Sequence, residues 1–123
     1  MIKRCSCVLL VLLVAVAAAC TTDSQPAPEV LGGDPELGRQ LLVEYGCGSC
    51  HTIRGVRGAN AVVGPSLANF GRQQYIAGRL SNTAANLITW IQNPQAISPG
   101  NAMPDLGVTE TEARHMAAYL YRE

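Results

Sequence analysis

Basic residues are scarce in this chain. Its 123 residues carry nine lysines and arginines against nine acids, and the single lysine is Lys3. A nucleic-acid binder needs a dense basic excess to meet phosphates, so nucleic acid is excluded as a partner. Long apolar runs are missing too. The longest, Val8 to Ala19 (VLLVLLVAVAAA), falls short of the about 20 residues that span a bilayer core. No internal repeat, low-complexity tract or strand pair is legible, which leaves helices and loops. A chain this short holds one domain at most.

The beginning has the form of an export signal. Met1-Ile2-Lys3-Arg4 is a basic start, the apolar run suits the about 7–15 residues of an h-region, and small residues follow. Five cysteines are an odd number for an exported chain. Cys5 and Cys7 fall inside the signal, and Cys20 follows Ala17-Ala18-Ala19 at the cleavage point. This junction resembles a bacterial lipoprotein signal, in which the cysteine is diacylated and becomes the new N-terminus, although the family usually has leucine where Ala17 stands. Lipidation also removes an exposed thiol that an oxidising compartment would attack. Ordinary cleavage after the same Ala-x-Ala is the alternative, and an uncleaved anchor the third choice. Cleavage before Cys20 removes Lys3 and Arg4, leaving seven basic residues against nine acids and a net charge of −2. The expected organisation is a signal over 1–19, a flexible Pro/Thr/Ser/Gly tether over 20–33 and a folded domain over 34–123.

Asp34-Pro35-Glu36 is a helix start, with an Asp cap, Pro in the first turn and an acid at the positive end. Leu37, Leu41 and Tyr45 then predict one apolar stripe ending at Gly46. Thr52 to Gly71 has no sustained period and reads as a loop. Ser81-Asn82-Thr83 caps a second helix with Leu87, Ile88, Trp90 and Ile91 on its apolar face, stopped at Asn93-Pro94. A second irregular loop runs from Gln95 to Gly107. Thr109-Glu110-Thr111-Glu112 is a capping box for a last helix whose apolar face holds Ala113, Met116, Ala117 and Leu120. The fold class is all-α with long loops.

One short stretch carries the chemistry: Tyr45-Gly46-Cys47-Gly48-Ser49-Cys50-His51-Thr52. A closed zinc site needs four ligands, and beyond Cys47, Cys50 and His51 the folded part offers only His115. A thioredoxin-like redox pair would follow a strand, and none is present. Cys-x-x-Cys-His is the attachment signature of c-type haem. Two thiols on one helical turn reach the two vinyl groups along a porphyrin edge, and the adjacent imidazole reaches the iron from one face. One covalently bound haem also gives a small domain an apolar centre for its loops to wrap.

The second axial ligand comes from Met103, Met116 or His115. Met116 falls on the apolar stripe of the last helix and reads as core. Met103 lies in a loop stiffened by Pro99 and Pro104, where a thioether directed at iron is the better account. A His/Met pair raises the reduction potential, since soft sulfur favours ferrous iron.

Cys47-Gly48-Ser49-Cys50-His51, Gly64-Pro65-Ser66-Leu67, Met103-Pro104 and Met116-Ala117-Ala118-Tyr119-Leu120 together resemble the small class I cytochromes c, over about three-quarters of the chain. Ala77-Gly78 to Asn82-Thr83, Trp90-Ile91, Asn93-Pro94-Gln95-Ala96-Ile97 and Pro99 to Pro104 look like the cytochrome c domain fused to subunit II of some bacterial haem–copper oxidases. That subunit's copper domain and two membrane helices have no counterpart here. The resemblance implies a fold of three to five helices around one haem c. It implies haem held by Cys47 and Cys50, His51 proximal, Met103 distal, and the Pro65 carbonyl accepting from the imidazole. It also pairs Gly38 with Tyr119 where the first and last helices cross, and makes Trp90 or Arg72 candidates for a propionate.

The function expected from these features is one-electron transfer at the outer face of the cytoplasmic membrane, with no small-molecule substrate. Redox partners would be a quinol-oxidising complex or a terminal oxidase, and the membrane is engaged through Cys20. A permanently bound haem subunit of an oxidase or dehydrogenase is the alternative. A sensor or peroxidase-like protein would need an open iron position. Between Tyr45 and Pro104 the charged residues are Arg54, Arg57, Arg72 and Arg79 with no acid, which predicts a basic rim around the site.

Overall fold

Four helices and two short turns carry the domain in a computed structural model that describes residues 26–123. The signal over 1–19 and the lipidation site at Cys20 lie outside the described residues. Helix α1 (Pro35–Glu44) starts where Asp34 Oδ1 accepts from the backbone N–H groups of Glu36 and Leu37, satisfying donors that have no partner within the helix. Helix α2 (Ala84–Gln92) is capped by the Thr83 hydroxyl, which accepts from Asn86 N. Helix α3 (Pro94–Ile97) is a single turn begun by proline. Helix α4 (Glu110–Arg122) opens with the expected box, Thr109 and Glu112 each accepting from the other's backbone N–H. The Glu112 carboxylate also accepts from Tyr45 Oη at 2.9 Å, tying the end of α1 to the start of α4.

The core lies mainly between α1, α2 and α4. Leu87, Ile88, Trp90 and Ile91 of α2 are buried as the periodicity requires, as are Ala113, Met116, Ala117 and Leu120 of α4. Of the expected stripe on α1, Leu41 is buried and Tyr45 packs on the core, and Leu37 departs. Gly38, Leu41 and Leu42 face inward, while Leu37 is 39 % exposed. The reason is the crossing with α4: a Cβ on Gly38 would overlap the backbone carbonyl of His115. The backbones meet directly at His115–Met116, and Tyr119, one turn on, donates through Oη to Arg54 O at 2.8 Å. Gly38→Ala is expected to lower stability by about 2–3 kcal/mol, because neither backbone can yield without moving a helix. A melting temperature lower by roughly 10–20 °C would register it, with the exposed Leu37→Ala nearly unchanged.

Three further features depart from the sequence reading. A two-stranded antiparallel ribbon exists, β1 (Tyr75–Ile76) paired with β2 (Leu80–Ser81), turned through Ala77 at φ 49° and Gly78 at φ 65°. The loop after Asn93 begins with α3, because Pro94 sits at a first-turn position, where its missing N–H costs nothing. Residues 26–33, the second half of the expected tether, lie against the domain: Val30 packs on the core, and a Cβ on Gly71 would come within 2.8 Å of Ala27 Cβ. Asn82 joins these loops, donating to Phe70 O and Gln73 O and accepting from Tyr121 Oη. Among the described residues no helix is long and apolar enough to cross a membrane.

Candidate functional site

Gly46 ends α1 in the left-handed conformation, φ 68°, and turns the chain into a short 3-10 turn over Cys47–Ser49. The backbone N–H groups of Cys50 and His51 both donate to Cys47 O, at 3.2 and 3.0 Å. The two thiols and the imidazole are thus presented from one turn. Cys47 and Cys50 are free thiols, both half-buried. Burial pushes the Cys47 thiol up from its ordinary range. Among the described residues no three His, Cys, Asp or Glu side chains gather to hold a metal ion by themselves.

His51 is oriented from outside the turn. Its Nδ1 lies 2.7 Å from Pro65 O. A carbonyl only accepts, so the proton sits on Nδ1 and the lone pair on Nε2 is left for a metal. The Pro65 segment is laid against the turn by Gly64 N donating to Cys50 O at 2.7 Å and Leu67 N donating to Thr52 O at 2.9 Å. Gly64 packs flat on the ring, and a Cβ there would stand 2.8 Å from His51 Nδ1. The resemblance quoted Gly64 without a role; the role is this close approach. Gly48 is required similarly, since a Cβ would meet Ala59 Cβ at 2.8 Å.

The three candidates for the second ligand separate clearly. Met116 is 1 % exposed inside α4, and it is core. His115 accepts from Asp34 N through Nδ1 at 2.8 Å, so it is engaged in capping the approach to α1. Met103 is half-buried, packs against the core and sits in a loop held by side chains. Trp90 is buried in α2, while Arg72 is exposed at the end of a 3-10 turn over Phe70–Arg72. Arg54, Arg57 and Arg79 are also exposed.

Sequence reasoning missed Gln95 and Asn101. Gln95 Nε2 donates to Asn101 O and Met103 O, and Asn101 Oδ1 accepts from Met103 N. No periodicity announces such contacts. The residues fit a haem in kind: two half-buried thiols and an imidazole of fixed tautomer on one turn, and a thioether in a braced loop.

The cytochrome c family model matches residues 35–122. The cytochrome c oxidase subunit 2 of Alkalihalophilus pseudofirmus is 39 % identical over 84 residues, covering 68 % of this chain and 24 % of that protein. The protein of the same name from Bacillus subtilis is 35 % identical over 82 residues, covering 62 % of this chain and 23 % of its own length. The chain therefore spans about a quarter of the relatives that it matches. The family match takes in the three helices that frame the core, the Cys-x-x-Cys-His turn and the Met103 loop, and the chain belongs to the cytochrome c family, electron-transfer proteins with covalently bound haem c.

Proposed function

We propose that this chain is a mono-haem cytochrome c working as a one-electron carrier in a respiratory oxidase chain. The observation that carries the reading is the His51 Nδ1–Pro65 O contact at 2.7 Å, which leaves Nε2 as a ligand on the same turn as two half-buried thiols. In this reading Cys47 and Cys50 hold the haem through thioethers, and His51 and Met103 are the axial ligands. The bound iron supplies a reversible ferrous/ferric couple. With both axial positions filled no site remains for a substrate, which suits transfer of electrons and nothing else. The testing experiment is an absorption spectrum of the purified protein with a haem count. One haem per chain and a weak far-red band in the oxidised form support it, and an oxidised spectrum without that band defeats it.

The form of the first residues supports a placement at a membrane. Lipidation at Cys20 would hold the domain at the outer face of the cytoplasmic membrane, and the mass of the mature N-terminus decides between lipid and plain cleavage. The relatives are named as oxidase subunits, which favours a second reading as a permanently bound haem subunit. Co-purification in mild detergent separates the two.

Docking is assigned to the basic segment. Arg57, Arg72 and Arg79 are exposed on a stretch with no acid between Tyr45 and Pro104. A partner with an acidic patch, such as an oxidase's copper domain, would be steered by charges that salt screens over about 10 Å at 0.1 M. Electron-transfer rates are expected to fall as ionic strength rises, and Arg57→Glu or Arg79→Glu to slow the reaction at low salt. Stopped-flow rates that stay flat with salt and ignore both reversals would mean an apolar contact instead.

A further inference from the structure

We infer that Gln95 and Asn101 form a latch whose task is to keep Met103 on the iron. This deepens the proposed function and rests on Met103 being the distal ligand. The loop from Ser98 to Gly107 has no regular secondary structure, and its prolines at 99 and 104 bring no N–H. Its backbone must find partners elsewhere. It finds them on two amide side chains.

The Met103 peptide is gripped on both sides. Its N–H donates to Asn101 Oδ1 at 2.7 Å, and its C=O accepts from Gln95 Nε2 at 2.7 Å. Every donor of the two amides is used. Gln95 Nε2 donates a second time to Asn101 O at 2.8 Å, and Asn101 Nδ2 donates to Pro94 O at 3.0 Å and Ser98 O at 2.7 Å. Gln95 Oε1 accepts from Gly100 N at 3.0 Å. Gln95 is itself fixed, since it lies in α3 and its own N–H donates to Asp105 Oδ1 at 3.2 Å. Partners that are carbonyls on one side and N–H groups on the other fix which way each amide points.

A thioether is a weak ligand, and its hold depends on how little freedom its loop has when the bond opens. With the latch closed, a released Met103 stays beside its position and rebinds before another ligand can enter. With the latch cut, the loop is free to move away between its glycines at 100 and 107, both at positive φ. Gln95 and Asn101 are thus positioning residues that act on the iron through Met103.

The test titrates imidazole into the ferric holoprotein and follows the far-red band. Gln95→Ala and Asn101→Ala are expected to bind imidazole roughly ten- to a hundred-fold more tightly than the unaltered protein, the equivalent of one or two hydrogen bonds lost from the closed loop. Gln95→Glu keeps the acceptor for Gly100 N but loses both donations, so it should match Gln95→Ala. Asn101→Asp keeps the acceptor for Met103 N and should fall between. Should an alanine variant fail to fold, these two conservative changes carry the test. Gln92→Ala is the control, as Gln92 Nε2 donates only to Ile88 O in its own helix, and its imidazole affinity should not move. Hydrogen exchange at the Met103 amide should be slow in the unaltered protein and fast in Asn101→Ala. An unaltered protein without the far-red band overturns the distal assignment and the latch with it. A normal band together with unchanged imidazole affinity in all four variants overturns the latch alone.

Discussion

Cys47→Ala and Cys50→Ala are each expected to leave little stable haem-bearing protein, and the double variant none. Both thiols come from one short turn, and Cys47 packs directly against the apolar core. From Thr52 to Asn82 the chain has one three-residue turn and a ribbon of two two-residue strands, with Ile53, Val56, Phe70 and Ile76 as buried anchors, and a covalent haem would add a further centre for those loops. A folded part of this size buries a modest core, and small domains depend on staples of this kind. The measurement is haem staining on a denaturing gel, beside the yield of soluble protein. A pair of ordinary structural cysteines would behave otherwise, since replacing a half-buried thiol by a methyl group costs on the order of 1 kcal/mol and leaves yield almost unchanged. Full retention of haem by the double variant would remove the thioether assignment.

How much of this was legible in the sequence depends on how local each signal is. The inward face of α2 was readable residue by residue, because Thr83 marks its start, Pro94 marks its end and the period between is regular. The capping box at Thr109 was equally plain. On α1 Leu41 and Tyr45 were read correctly, while Leu37 was misread and Gly38 and Leu42 were missed. Gly38 carries no hydrophobic signal, and only the close crossing with His115 reveals that it faces the core. The ribbon at Tyr75–Ser81 escaped because strands of two residues are shorter than any alternation that can be recognised. The second half of the tether was read as flexible from composition, yet Val30 and Ala27 lie on the domain. Pro and Gly describe local stiffness and say nothing of whether a neighbour offers a surface.

The site divides the same way. Cys47, Cys50 and His51 fall within one short stretch, so the motif was complete in five letters. The tie from His51 to Pro65 spans fourteen positions and came only through family resemblance. The amide contacts around Met103 cross up to eight positions between side chain and backbone, with no repeating pattern to betray them. The arginine-only segment was legible as a run, and Arg54, Arg57, Arg72 and Arg79 are all exposed.

Met103→Ala is expected to leave the haem attached and open the iron. Attachment depends on Cys47 and Cys50, which lie in a different segment, so the denaturing-gel stain should persist. The distal position would pass to water or hydroxide, both harder than sulfur, which removes the preference for ferrous iron. The reduction potential should fall by an amount on the order of tenths of a volt, within the ~0.8 V that axial ligands span. The far-red band should vanish from the oxidised protein, and the reduced protein should bind carbon monoxide. Two other variants give the contrast. Met116→Ala removes a side chain that is 1 % exposed in α4, so it should cost about 2–5 kcal/mol of stability with the band intact. His115→Ala removes the acceptor for Asp34 N, so it should weaken the start of α1 and leave the spectrum alone. The three variants therefore separate a ligand from a core residue and from a capping residue by different instruments. If Met116→Ala opens the iron while Met103→Ala keeps the band, the distal ligand comes from α4, and the braced loop around Met103 serves the fold alone.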